Sequence, residues 1–163
     1  MNETTKETAH LRAAIEVSKR ARAGGNHPFG AVLVGPDGKV LLEAENSVNS
    51  EGDCTGHAET NLVRKASKAY DRDFLRNCTL YSSAEPCAMC SGAIYWSGIG
   101  RLSYALSEER LLELTGDDPE NPTFSLPCRE VFARGQRKVE VEGPQLEDEA
   151  AEAHRGFWHP TEE

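Results

Sequence analysis

The sequence predicts a three-layer α/β domain, in which helices cover both faces of a central sheet. Helical segments alternate along the chain with short β-rich segments, which is the pattern of α/β folds. The first two β-rich segments flank a Gly-Pro-Asp-Gly turn at residues 35–38, so the sheet should begin with an antiparallel hairpin. The length of 163 residues suits one core, and we expect residues 1–163 to form a single domain.

The first half of the chain supplies two helices and three strands. Leu11, Ile15 and Ser18 recur at spacings of three and four residues, which predicts an amphipathic helix, and the Ala-Gly-Gly of residues 23–25 should end it. The predicted elements are a helix over 5–23, strands over 31–34 and 39–45, a helix over 57–68 and a strand over 78–83.

The second half continues the alternation. Pro86 suits the first turn of a helix, and Ser107 and Gly116 suit the start and the end of another. The predicted elements are a helix from 86 to about 97, a strand over 101–106, a helix over 107–114, a polar Pro-rich loop over 117–127, a short helix over 127–133, a strand over 138–142 and a last helix over 146–158.

Composition favours a globular cytoplasmic protein without a membrane segment. No apolar run approaches the ~20 residues of a membrane span, and the polar, acidic residues 1–10 lack the basic and apolar regions of a signal peptide. The cysteines number five, and an odd number argues against a disulfide framework.

The charge balance argues mildly against a nucleic-acid partner. The formal net charge is −9, and lysine and arginine are spread along the chain without a dense cluster. Nucleic-acid binders usually carry a basic patch, because phosphate neutralisation supplies much of their affinity.

A metal site is predicted from two cysteines that follow Pro86. Cys87 and Cys90 stand three residues apart at a helix start, so both sulfurs face the same side. The helix N-terminus lowers a thiol pKa and thereby favours the thiolates that a metal needs. Because two thiolates make half a tetrahedral site, His57 is the obvious third ligand. Three protein ligands leave a fourth position for water, as in catalytic zinc sites, and we expect one Zn²⁺ per chain.

Glu59 is the candidate catalytic residue. A carboxylate beside a polarised water can take its proton and later deliver it to the substrate. Residues two apart on a regular helix point in nearly opposite directions, so His57 and Glu59 converge only if His57 stands at an irregular helix start. Thr55 and Gly56, just before it, are consistent with such a start.

The motifs taken singly have other interpretations. A Cys-x-x-Cys pair can be a redox pair or half of a structural zinc knuckle, and a single histidine is more often structural than a ligand. The sequence has no second Cys-x-x-Cys or His-x-x-His to complete a knuckle. The combination H-x-E followed by P-C-x-x-C is the signature of zinc deaminases that act on nucleobases, and it favours a catalytic zinc site.

These motifs resemble those of the cytidine-deaminase-like superfamily. The resemblance extends from HPFGAVLV, residues 27–34, through RLSYAL, residues 101–106. Within that superfamily, the sequence is similar to the branch that contains bacterial guanine deaminases, yeast-type cytosine deaminase and tRNA adenosine deaminases. The resemblance implies a mixed five-stranded sheet whose last two strands are parallel and joined by a helical crossover. It also implies a homodimer with active sites near the interface, and a C-terminal segment that can help close the pocket.

The resemblance also assigns roles to residues. Glu59 matches the proton shuttle of the family, Asn46 matches an asparagine that hydrogen-bonds the base, and the backbone N–H of Ala58 matches the group that holds a base carbonyl. A simple turn residue is the alternative for Asn46. The residues that match the zinc ligands are His57, Cys87 and Cys90.

Two regions depart from the family pattern. Cys54 lies three residues before His57 and offers a possible fourth zinc ligand, although a fourth ligand would remove the reactive water, so a loop thiol is the preferred interpretation. The segment TGDDPENPTF is loosely similar to a guanine-deaminase region, which makes Asp117 or Asp118 a candidate for substrate binding. An exposed acidic loop is the alternative there.

Several aromatic residues are candidates for stacking on a base, with packing in the core as the alternative for each. Phe157 and Trp158 stand near two histidines close to the C-terminus and could cap a small pocket. The full candidate set is Phe29, Trp96, Phe124, Phe157 and Trp158.

The sequence therefore predicts hydrolytic deamination of a free nucleobase or a related amino-heterocycle, such as guanine, cytosine or an amino-triazine. The alternative is a tRNA adenosine deaminase, against which the acidic C-terminal region argues, with a nucleoside deaminase as a further enzyme reading. A third hypothesis, a non-catalytic zinc-stabilised binding module, leaves Glu59 without a role.

Overall fold

Five strands and eight helices are seen in the computed structural model, which describes residues 3–159. The strands are β1 (Gly30–Val34), β2 (Val40–Glu45), β3 (Thr79–Ala84), β4 (Arg101–Leu106) and β5 (Glu140–Glu142). The helices are α1 (Glu3–Ala23), α2 (Val48–Glu51), α3 (Ala58–Ala69), α4 (Arg72–Leu75), α5 (Ala88–Ser97), α6 (Glu108–Thr115), α7 (Cys128–Ala133) and α8 (Glu147–Glu152).

The strands form one mixed sheet in the order β2-β1-β3-β4-β5. Strand β1 pairs antiparallel with both β2 and β3, whereas β3, β4 and β5 are parallel to one another. The predicted fold class, the initial hairpin and the parallel last two strands are therefore confirmed.

The strand alternation divides the core into two layers of packing. Ala31 and Leu33 face the helices α3, α5 and α7, and Val32 and Val34 face α1, α6 and α8. All five residues of β1 are buried, because helices cover both faces of this interior strand.

The predicted last helix is wrong beyond Glu152. Helix α8 ends there, and the chain continues in turns through residue 157. The Arg22 guanidinium on α1 accounts for this ending, because it donates hydrogen bonds to the carbonyls of Ala153 and Arg155 at 2.9 and 2.6 Å. Gly156 then takes a left-handed φ of 71°, which does not continue a helix.

Two short helices, α2 and α4, were not predicted. Each has four residues, which is too short for a 3.6-residue periodicity to show in the sequence. Among the described residues, no helix has the length and apolar character needed to cross a membrane.

The turns after α8 bring a buried pair of rings onto the sheet. Trp158 Nε1 donates a hydrogen bond of 2.9 Å to His154 Nδ1, and both side chains are almost fully buried. The His154 ring also lies edge-on to Phe29, at 5.3 Å between centroids. Burial lowers the pKa of His154 to about 4, with Arg22 adding to the effect.

We expect His154 to make the free energy of unfolding depend on pH. Its pKa is lower in the folded state than in the unfolded chain, where it is ~6.5, so folding favours the neutral ring. The contribution is complete above pH ~6.5 and is lost as the pH falls toward 4. Acidification through this range should lower the free energy of unfolding by roughly 3 kcal/mol through His154, and His154→Gln should abolish this contribution. Denaturant unfolding between pH 7 and 4 measures it, with the exposed His159→Gln as control; equal slopes for His154→Gln and the unmodified protein would contradict the assignment.

Candidate active site

Two helix N-termini meet at the carboxyl edge of the parallel strands. Strands β3 and β4 end at Ala84 and Leu106, and helices α3 and α5 pack side by side on the face beneath them. His57 is the N-cap of α3 and Cys87 is the N-cap of α5, both with extended backbone. Ligand sites of α/β folds form at this edge of the sheet.

Three potential metal ligands converge here. The Nδ1 atom of His57 lies 3.5 Å from the Sγ atoms of both Cys87 and Cys90, and the three ligand atoms lie within 4.8 Å of one another. The Thr60 hydroxyl lies 3.2 Å from Cys90 Sγ and supports that sulfur from the side. The structure thus brings together the three residues that the sequence predicted as ligands.

The hydrogen bonds within this group favour one thiolate. A bond from the Cys90 thiol, together with another to His57, lowers the pKa of Cys87 to about 4 although burial opposes the shift. The same contact with Cys87 and burial raise the pKa of Cys90, and the hydrogen bond with Cys87 raises the pKa of His57. Thiolate character at this helix start is what a divalent metal needs from its ligands.

The donor set fits zinc. Two sulfurs and one imidazole nitrogen are ligand types that zinc prefers, and three ligands leave one tetrahedral position for water. Zn²⁺ with two thiolates and a neutral histidine is formally neutral, which limits the electrostatic cost of a buried ion. Cys54 is exposed and lies at the rim of the cavity, outside the cluster of ligand atoms.

His57 and Glu59 face the same space because the helix begins between them. The backbone of His57 has φ −70° and ψ 147°, so its side chain does not follow the direction that α3 imposes from Ala58 onward. Both residues line one cavity, and Glu59 is 5% exposed. Burial raises the pKa of Glu59 to about 6, a value suited to a group that both accepts and returns a proton near neutral pH.

The cavity above the ligands has a volume of about 370 Å³. Four carboxylates line it, from Glu59, Glu85, Glu108 and Glu120, and no lysine or arginine is among the lining residues. The other lining residues are His27, Phe29, Asn46, Val48, Cys54, His57, Ala84, Cys87, Met89, Leu111 and the loop 121–124.

Asn46 lines the cavity and is held in one orientation. Its Oδ1 accepts the Val48 N–H at 3.0 Å, and the residue is 2% exposed. With Oδ1 occupied, Nδ2 remains as the group able to donate to a ligand. Ala58 is the first residue of α3, where backbone N–H groups have no intrahelical partner.

Five of the predicted substrate-binding residues are outside the cavity lining: Ala58, which stands between the lining residues His57 and Glu59, and Trp96, Asp117, Phe157 and Trp158. Trp96 is 71% exposed on α5, and Asp117 is exposed in the loop after α6. Phe157 and Trp158 form a layer behind the cavity, where the Trp158 ring packs against His27 at 5.3 Å between centroids. They were expected to touch the substrate, but the rings that face the cavity are Phe29 and Phe124.

Asp118, rather than Asp117, is the buried carboxylate of the following loop. It accepts the backbone N–H of Glu120 at 2.9 Å and of His159 at 2.6 Å, and these bonds lower its pKa. It thereby fixes the rim loop 120–124 to the C-terminal segment. Glu120 in this loop lies 3.3 Å from Nε2 of His27 but makes no well-aligned hydrogen bond to it.

Sequence reasoning missed several lining residues, among them the titratable His27, Glu85 and Glu108. His27 and Glu85 stand inside the quoted motifs HPFG and EPC, so their neighbours gave a signal. Glu108 follows the predicted N-cap Ser107, where an acidic residue is usually explained by the helix dipole. Burial, followed by the charges of Cys87, Glu85 and Glu59, raises the pKa of Glu108 to about 8.

Comparison with known proteins identifies the family. The profile of the cytidine and deoxycytidylate deaminase zinc-binding region matches residues 4–106, more than half of the chain and all of the ligand motif. The chain belongs to this deaminase family. It is therefore a zinc-dependent hydrolytic deaminase, and the His57, Cys87 and Cys90 cluster is the group in it that could hold the metal.

Known members of several substrate types resemble this deaminase. A probable cytosine deaminase from Schizosaccharomyces pombe is 47% identical over 94% of this chain and 93% of its own. The guanine deaminase of Bacillus subtilis is 41% identical over 69% of this chain and 71% of its own. The solved guanine deaminase from Nitrosomonas europaea superposes with a TM-score of 0.73 at 27% identity, over 90% of this chain and 81% of that one.

We expect Cys87→Ala to reduce bound zinc from about one ion per chain to near zero, because it leaves two of three protein ligands. Cys54→Ser should leave the zinc content unchanged. Elemental mass spectrometry of the purified deaminase measures both. Loss of zinc from Cys54→Ser would instead show that the rim thiol is a ligand.

Proposed function

We propose that the deaminase acts on a free nucleobase or a related amino-heterocycle, such as cytosine, guanine or an amino-triazine, and releases ammonia. The charge of the cavity carries this proposal. Phosphate groups are bound by arginine, lysine or clustered backbone N–H groups, and the cavity lining has carboxylates but no lysine or arginine. A neutral base with N–H donors suits such a lining.

The relatives support the same substrate class. The S. pombe protein that matches almost the whole chain is described as a probable cytosine deaminase, and the B. subtilis and N. europaea proteins as guanine deaminases. The cavity volume of about 370 Å³ also lies near the lower end of the ~300–1,000 Å³ range of small-molecule sites.

Glu59 is proposed as the group that moves protons. Zinc held by His57, Cys87 and Cys90 would supply a Lewis acid that brings the pKa of a bound water toward ~7. The Glu59 carboxylate takes a proton as oxygen attacks the ring carbon that bears the amino group. Glu59 delivers this proton to the adjacent ring nitrogen. It then takes the second proton from the hydroxyl group formed on that carbon and delivers it to the departing amine, so that ammonia leaves and a carbonyl remains.

Asn46 and Ala58 are proposed to orient the base. The Nδ2 group of Asn46 donates to an acceptor on the ring, because Oδ1 is already bonded to Val48. The Ala58 N–H donates to a ring carbonyl from the first turn of α3, where the helix leaves it available. Phe29 and Phe124 offer the apolar surfaces against which a flat ring can pack.

The tRNA adenosine deaminases are the second candidate, because tRNA-specific members are also among the relatives. The net charge of −9 and the acidic cavity argue against a polyanionic substrate. Binding to tRNA would have to fall steeply with salt concentration.

We further infer a cytoplasmic location and a homodimer. All five cysteines are free thiols, which suits a reducing compartment.

An exposed apolar face on α5 supports the homodimer. Trp96 and Met89 stand seven residues apart on this helix, so they share one face, and they are 71% and 38% exposed. This apolar face is the proposed dimer contact.

We expect Glu59→Ala to retain zinc and to lower kcat by about 10²-fold or more, because proton transfer by a positioned side chain contributes ~10²–10⁴-fold. Metal analysis and ammonia release on the best base measure the two effects. Turnover close to that of the unmodified enzyme would remove Glu59 from the proposed role.

An ammonia-release assay over purines, pyrimidines, triazines, nucleosides and tRNA tests the substrate class. We expect at least one free base to be deaminated and tRNA to remain unmodified. Turnover confined to tRNA, with steep salt dependence, would support the second candidate instead.

Trp96→Glu should shift the molar mass in light scattering from that of a dimer to that of a monomer, because it places a charge in the apolar contact. The exposed Glu109→Lys on α6 serves as a control for surface charge. A mass unaffected by Trp96→Glu would place any dimer contact elsewhere.

A further inference from the structure

Glu108 is a buried carboxyl group that the proposed mechanism does not use. It is the first residue of α6, it lines the cavity, and it is 9% exposed. The Glu108 side chain does not cap this helix, because Ser107 supplies the cap by accepting the Arg110 N–H at 3.1 Å.

A second buried carboxylate fixes the position of Glu108. Glu85 Oε1 accepts the Glu108 backbone N–H at 3.0 Å, and Glu85 Oε2 accepts the Cys128 N–H at 2.9 Å. One side chain thus joins the starts of α6 and α7. The Glu108 side chain therefore projects from a backbone that is held on a rigid part of the fold. A residue that determines specificity requires such a fixed position.

The four cavity carboxylates differ in what occupies their oxygens. Both oxygens of Glu85 accept backbone N–H groups, and Glu120 stands at the rim beside His27. Glu59 is assigned to proton transfer. Within residues 3–159, the Glu108 carboxyl group receives no hydrogen bond, and its neighbours in charge are Cys87, Glu85 and Glu59, with the His57 ring also facing it.

The Glu108 carboxyl group is 9% exposed and what remains accessible faces the cavity, so its oxygens are left to water or to a ligand. Among the described residues, no arginine or lysine lines the cavity to pair with Glu108. A bound amino-heterocycle would displace water from these oxygens, and its ring N–H groups are donors that can replace that water.

We propose that Glu108 is a specificity residue whose carboxyl group accepts a hydrogen bond from a ring N–H of the bound base, away from the amino group that leaves. This inference rests on the proposed function. Nucleosides and N-alkylated bases lack that N–H at the substituted nitrogen, so they would leave Glu108 unpaired. Glu108 would in this way select free bases over nucleosides.

The test compares the best base found by ammonia release with its ring-N-methylated analogues. We expect at least one analogue to have kcat/KM lower by about 10²-fold or more, because a site built to bond an N–H rejects a ligand without it. Glu108→Leu keeps the bulk and removes the acceptor, so it should reduce this ratio to less than about 10-fold, mainly by slowing the unmethylated base. Glu108→Gln retains an acceptor oxygen and should keep most of the ratio.

The controls separate this role from others. Glu109→Leu, at the exposed neighbouring position on the same helix, should leave the ratio unchanged. A ratio in Glu108→Leu equal to that of the unmodified enzyme would show steric exclusion by the cavity and would overturn the inference. Zinc content and circular dichroism check that each variant is folded.

A measurement without variants is available if Glu108→Leu does not fold. Inhibition of the unmodified enzyme by the deaminated product and by its N-methylated forms should differ by a similar factor, and equal inhibition constants would overturn the inference. Absence of ammonia from every free base would contradict the proposed function itself, whereas turnover with an unchanged ratio contradicts only the role of Glu108.

Discussion

The meeting of one imidazole nitrogen with two sulfurs is the constraint on which the rest of the structure depends. His57 and the cysteine pair lie some thirty residues apart in the chain, and their atoms approach to 3.5 Å only because α3 and α5 lie side by side with both starts at the same edge of the sheet. Strand β3 leads directly into α5, and the extended backbone at His57 turns its ring away from the face that α3 would impose. Sheet order, helix start and side-chain direction all serve this one contact.

The charge of the cavity follows from the same arrangement. Carboxylates cluster above the ligands, and burial raises the pKa of Glu59 to about 6 and that of Glu108 to about 8. Such groups are costly when ionised and unpaired. The fold offsets part of the cost by giving Glu85 two backbone N–H donors, which also fixes the starts of α6 and α7 relative to β3. Under the proposed function, the substrate and the metal provide the remaining partners.

The sequence allowed prediction of the architecture and the ligand group because both leave local signals. Hydrophobic periodicity located the strands, and the H-x-E and P-C-x-x-C spacings located His57, Glu59 and the cysteines. The cavity wall could not be predicted in the same way. Trp158 is close to the cavity but one layer behind it, and Asp118 rather than Asp117 is buried, because these outcomes depend on how a loop and the C-terminal turns pack. Arg22 ended the last helix through contacts that are distant in sequence.

The bond from the His159 N–H to Asp118 has a practical consequence for handling the enzyme. It connects the C-terminal segment to the loop at the cavity rim. An affinity tag or fusion partner attached after that segment would therefore disturb the loop at the cavity entrance. The opposite terminus is the safer attachment point. Glu7 on α1 pairs with Arg101 at the start of β4, on the far edge of the sheet from the ligands.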